Sequence, residues 1–138
     1  MDFELNEAQQ LLKETAAEFA ATRIAPVARQ NDIDGRFPAG IVEEMGVLGF
    51  FGEVIPEAYG GAGMDYISCA VLMEEISKAC SSVRTVLSVQ MSLVASTILK
   101  WGSGEQKRKY LPRLCSAEWL GCLGLTEPDV GSDAQHIR

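Results

Sequence analysis

The chain has 138 residues, of which 47% are hydrophobic and 22% charged. That is the composition of one folded domain rather than a disordered segment. Twelve Lys and Arg stand against 19 Asp and Glu, for a net charge of -7, which argues against a nucleic-acid partner held on a basic face.

The first helix is expected to start near Asn6, with Gln9 three residues on as in a capping box. Leu12, Ala16, Phe19, Ile24 and Val27 form its apolar stripe. Pro26 lacks an N–H, so a kink or break is expected there. The stretch 31–38 (NDIDGRFP) is rich in turn formers and reads as a loop. A shorter helix follows Pro38, with Ile41, Met45 and Leu48 on one face. Next comes FFGEVIPEAYGGAGMD, irregular chain with buried apolar residues. Its glycines lack both GxGxxG spacing and the Lys–Ser/Thr of a phosphate-binding loop, so they read as a tight structural turn.

A third helix is expected from about Asp65 to Lys78. A fourth runs from about Ser82 to Leu99 and is apolar enough to be buried on most sides. Ser103 with Gln106 forms a second capping box that opens a fifth helix, and Pro112 is expected to interrupt it. From Trp119, WLGCLGLTEP reads as a short buried strand. A single strand has no ladder partner in this chain, which suggests that the chain stops partway through a larger protein.

The apolar runs fall short of the roughly 20 residues of a bilayer-spanning helix. The N-terminal MDFELNEAQQ is neither a secretory signal nor an Arg-rich transit peptide. The expected location is therefore the cytoplasm. Cys69, Cys80, Cys115 and Cys122 have no CxxC spacing and His136 is the only histidine. No metal site is expected, and the cysteines read as small buried hydrophobes.

The run 124–133, GLTEPDVGSD, resembles the TEPxxGSD flavin-binding signature of acyl-CoA dehydrogenases. LGFFGEVIPEAYGGAGMD and EQKRKYLPRL are similar to two further segments of that family. The resemblance implies an all-α fold. It would be the N-terminal orthogonal helical bundle of an acyl-CoA dehydrogenase, over residues 1–117. Residues 118–138 would enter the first strand of a middle β-domain whose remainder lies outside the chain. The family oxidises the Cα–Cβ bond of an acyl-CoA thioester: a base takes the α-proton and a hydride passes from the β-carbon to the flavin. The implied cofactor is FAD, contacted along Leu123–Ser132, chiefly by Leu123, Gly124, Leu125, Thr126, Gly131 and Ser132. Gly131 permits positive φ and close backbone approach, and Pro128 fixes the turn. Ser132 would also touch the CoA moiety.

The segment SSVRTVLSVQMSLV is similar to the matching helix of glutaryl-CoA dehydrogenases. There an Arg and a Ser one turn later bind the distal carboxylate of the substrate; here these are Arg84 and Ser88. Spacing i,i+4 puts them on one helix face, and a guanidinium can hold a carboxylate through two parallel hydrogen bonds. No glutamate of this chain matches the family's catalytic base, so no catalytic residue is assigned and the chain alone is expected to be inactive. The resemblance further implies an electron-transfer flavoprotein as partner, a homotetramer for the intact enzyme, and the mitochondrial matrix in a eukaryote. Two alternatives stand beside it. One is a non-catalytic helical binding or assembly module. The other is a dehydrogenase of acyl groups carried on an acyl-carrier protein.

Overall fold

The structure is a computed structural model that describes residues 4–137. Residues 1–3 and 138, the outer ends of the two expected segments, lie outside it. The described chain is helical, and no strand forms among the described residues.

Helix α1 (Glu7–Phe19) begins with both halves of its capping box. The Asn6 side chain accepts from the Gln9 N–H at 2.9 Å, and the Gln9 side chain accepts from the Asn6 N–H at 3.0 Å. The helix does not break at Pro26. It passes through a π turn (Ala20–Ile24) into α2 (Ala25–Ile33), where Pro26 lies in the first turn. A first-turn position needs no N–H donor, and the wider π turn just before it absorbs the change in hydrogen-bond register. The expected loop therefore opens at Asp34, after α2 has run through Asn31, Asp32 and Ile33.

Helix α3 (Ala39–Val47) follows Pro38 directly. Two 3-10 turns, Phe50–Gly52 and Glu57–Tyr59, carry the chain to α4 (Tyr66–Ala79). The glycine cluster between the second of these turns and α4 is structural, as expected. Gly60 and Gly63 have φ of 83° and 62°. A Cβ on Gly61 would lie 2.0 Å from the carbonyl oxygen of Ile55. Asp65 caps α4 by accepting from the Ser68 N–H at 2.8 Å, and its other oxygen accepts from the Gln9 amide at 2.9 Å. One side chain thus ties the N-termini of α1 and α4 together.

From Ser81 to Trp101 the chain is a single helical run. It comprises α5 (Ser81–Ser88), a π turn (Val89–Ala95) and α6 (Ser96–Trp101). By length and composition it could cross a bilayer, which the short apolar runs do not indicate. Polar residues such as Arg84, Ser88 and Gln90 break the runs, yet the mean hydropathy over the helix stays high. Here Val83, Leu87, Gln90, Met91 and Ala95 are buried inside the bundle.

Helix α7 (Gly104–Cys115) starts at the expected Ser103–Gln106 capping box. Pro112 does not interrupt it, because burial of Leu111, Leu114 and Cys115 holds the last turn in place.

The main core joins Ala16, Phe19, Ile24, Met45, Phe50, Phe51, Leu72, Ile76, Leu87 and Met91, with Phe19 and Phe50 edge to face at 5.7 Å. A smaller core joins Ile55, Ala95, Leu111, Leu114 and Cys115. Of the four cysteines only Cys115 is fully buried; Cys69 and Cys80 are half-buried and Cys122 is exposed.

The segment after α7 departs from the sequence reading. The expected buried strand is irregular chain, with Leu120, Leu123 and Leu125 about half exposed. An extended segment with no neighbouring strand cannot satisfy its ladder groups, so it has nothing to pair with or bury against. One bridge, Glu127 with Val130, closes the turn beyond it.

Candidate functional site

Two sets of candidate residues lie on two elements, and a third residue connects them. Arg84 and Ser88 sit in α5, both half-buried. Glu75 and Glu74, the carboxylates nearest in sequence to Arg84, both pair with Lys78 instead, at 2.8 Å and 3.3 Å. Among the described residues no hydrogen bond or ion pair reaches the Arg84 side chain. A half-buried guanidinium without a carboxylate suits an anionic ligand group, because an unpaired cation partly withdrawn from water is costly.

The flavin-signature residues are presented on the surface. The Val130 N–H donates to the Glu127 carbonyl at 3.1 Å and the Glu127 N–H returns to Val130 at 2.9 Å. This is a β-turn with Pro128 at its second position, where the fixed φ of proline is favoured. On either side of it Leu123, Gly124, Leu125, Thr126, Gly131 and Ser132 are all exposed. Their backbone N–H groups meet no acceptor among the described residues. A Cβ on Gly124 or Gly131 would meet nothing within 4 Å. This is a strip of free amide donors with open approach, the donor chemistry that a flavin edge and a pyrophosphate require.

A shallow apolar groove of ≈ 240 Å³ runs where the helix of Arg84 meets the segment after α7. Phe37, Thr85, Val86, Val89, Gln90, Leu120 and Gly121 line it. Arg84 and Ser88 are not among its lining residues, because they lie on a neighbouring face of the helix.

Two polar residues escaped the sequence reading. Gln90 is 1% exposed. Its amide donates to the carbonyls of Leu114 at 2.9 Å and Trp119 at 2.8 Å, and it accepts from the Gly121 N–H at 2.8 Å. Its signal was a lone amide in an apolar helix. Glu53 is 2% exposed, and neither carboxylate oxygen has a partner among the described residues. Burial, and then the charge of Asp65, push its pKa up to about 7. Its signal was an acid inside FFGEVI. Asp65 behaves oppositely: hydrogen bonds from the Ser68 backbone and hydroxyl hold its carboxyl below the usual range.

Comparison with known proteins identifies the family of the fold. The family described as "Acyl-CoA dehydrogenase, N-terminal domain" matches residues 6–118. The chain is 46% identical over 136 residues to a glutaryl-CoA dehydrogenase of Desulfococcus multivorans, covering 96% of this chain and 35% of that protein. It is 43% identical over 131 residues to the mitochondrial short-chain specific acyl-CoA dehydrogenase of Bos taurus, covering 95% and 32%. A glutaryl-coenzyme A dehydrogenase structure in complex with glutaryl-CoA superposes with a TM-score of 0.94 at 44% identity, over 99% of this chain and 35% of the other. The chain therefore spans about a third of the length of the curated relatives it matches. With a family model matching residues 6–118 and a superposable fold, the chain belongs to the acyl-CoA dehydrogenase N-terminal domain family.

Proposed function

We propose that this chain supplies the N-terminal helical part, residues 1–117, and the flavin-contacting turn, within 118–138, of an FAD-dependent acyl-CoA dehydrogenase. The observation that carries this reading is the strip of free backbone donors around the Glu127–Val130 turn. FAD, when bound, supplies the hydride acceptor for α,β-dehydrogenation. The chain's own part is to bind and orient. Leu125 and Thr126 offer N–H groups, and Thr126 a hydroxyl, to the flavin edge. Gly131 and Ser132 offer donors to phosphate. No residue of this chain is assigned the α-proton. The wider reading includes an electron-transfer flavoprotein as acceptor, a homotetramer, and a location in the cytoplasm or the mitochondrial matrix.

For the substrate we propose a dicarboxylyl-CoA such as glutaryl-CoA, its distal carboxylate held by Arg84 and Ser88. The unpaired, half-buried guanidinium supports this. One observation favours a second reading, a short unsubstituted acyl group. The apolar groove is lined by Thr85, Val86 and Val89 rather than by Arg84. Flavin bleaching of the full-length protein by a panel of acyl-CoA thioesters separates the two. Arg84→Ala is expected to raise KM for the dicarboxylyl-CoA at least tenfold more than for a monocarboxylyl-CoA, a difference of about 1.4 kcal/mol. Equal effects on both would leave Arg84 a structural residue.

A further inference from the structure

We infer that Gln90 is a positioning residue that holds the flavin-contacting turn against the helix carrying Arg84 and Ser88; this rests on the functional reading above. The chain that leaves α7 must cross from Cys115 to Leu123 without secondary structure of its own. One backbone turn and two sets of contacts hold it. Ala117 takes a left-handed φ of 58°, uncommon for a residue with a Cβ, and turns the chain sharply after the helix. The Trp119 ring lies under the Arg113 guanidinium at 4.4 Å, and the Trp119 N–H donates to the Arg113 carbonyl at 3.1 Å. Gln90 then binds both ends of the crossing, through Leu114, Trp119 and Gly121.

The last of these contacts bears most directly on the turn. A Cβ on Gly121 would sit 2.4 Å from a Val94 methyl, so the backbone there is pressed onto the π turn that contains Gln90. Two peptide units separate Gly121 from Leu123, a reach of about 7 Å. Along the helix axis Gln90 lies about 3 Å from Ser88 and about 9 Å from Arg84. A single buried amide thus spans the element of the substrate candidates and the segment that leads into the cofactor candidates. Both of its N–H donors are engaged. No other hydrogen bond reaches the Trp119 carbonyl or the Gly121 N–H among the described residues.

The test uses the full-length protein and three variants. Gln90→Met keeps the length and removes every hydrogen bond. Gln90→Glu keeps an acceptor for Gly121 but sets a second oxygen against the Leu114 and Trp119 carbonyls, so at most one of those two bonds survives, through a protonated carboxyl. Leu72→Ala opens a cavity in the main core, away from the crossing, as a control for general destabilisation. All are measured well below their melting temperatures. Gln90→Met is expected to weaken FAD binding, read by flavin fluorescence, about tenfold or more, and to speed amide exchange at Gly121. Gln90→Glu should also weaken FAD binding, with Gly121 exchange closer to wild type. Leu72→Ala should lower the melting temperature while leaving FAD affinity within about twofold. If Gln90→Met does not fold, Gln90→Glu decides alone: any loss of FAD affinity beyond that of Leu72→Ala supports the inference. Wild-type FAD affinity in a folded Gln90→Met or Gln90→Glu overturns it and leaves the functional reading standing. A wild type that binds no flavin removes that reading, and the inference with it.

Discussion

Replacing Glu53 by Gln should change how stability depends on pH. The carboxyl is 2% exposed, has no partner among the described residues, and has its pKa raised from 4.5 to about 7. Because the folded form binds its proton more tightly than the unfolded form, the sign is the reverse of the usual carboxylate case. Below pH 4.5 the group is protonated in both states and costs nothing. Between pH 4.5 and 7 the folded state loses stability, and above 7 the loss is constant. At about 1.4 kcal/mol per pKa unit, the full loss is about 3 kcal/mol. Asp65 and Cys69 are the titratable groups coupled to Glu53. Asp65 acts oppositely, contributing stability that is lost as pH falls through its depressed pKa. Its contribution largely cancels when Glu53→Gln is compared with wild type at each pH. Urea unfolding of the 138-residue chain between pH 4.5 and 8.5 is the assay. The variant should gain on wild type by up to about 3 kcal/mol as pH rises, relative to their difference at pH 4.5. A difference that stays flat with pH would refute the assignment of Glu53 as a buried, neutral acid.

Two further outcomes are expected. Gly46→Ala places a Cβ 2.3 Å from the Ser116 carbonyl oxygen. Backbone cannot yield as a flexible side chain can, so the clash outweighs the better helix propensity of alanine and should cost about 2 kcal/mol in thermal or urea unfolding; a more stable variant would contradict the packing of α3 on the end of α7. Burial pushes the Cys115 thiol up to about 11, which leaves about a thousandth of it as thiolate at pH 8. Cys122 is exposed, so iodoacetamide mapped by peptide mass should label Cys122 first and Cys115 only on unfolding, and early labelling of Cys115 would count against its place in the smaller core.

The residues that were read correctly act over short distances. Asn6 with Gln9, and Ser103 with Gln106, satisfy helix N-termini within three residues. Asp65 likewise caps α4. Neither Pro26 nor Pro112 ends its helix as the local rule expects. A π turn accommodates the first, and the buried Leu111, Leu114 and Cys115 hold the last helical turn around the second. The flavin-signature turn was legible because proline and glycine dictate its backbone, and Pro128 does stand at the second position of a β-turn. The strand expected before it does not form among the described residues, because a strand requires a neighbour, which no single segment can supply.

Neither Glu53 nor Gln90 could be placed from sequence. The burial of Glu53 depends on chain that folds back from residues 61–65, as the bond from the Met64 N–H to the Glu53 carbonyl records. The three partners of Gln90 lie 24 to 31 positions away. The amino-acid sequence alone determined most of the helices, their caps, the family resemblance and the turn at Pro128, because each rests on neighbours along the chain. Tertiary structure alone decided which polar groups lose water, that Arg84 meets no carboxylate among the described residues, and how the chain after α7 is held to the helix of Arg84 through Gln90. These depend on which distant segments meet.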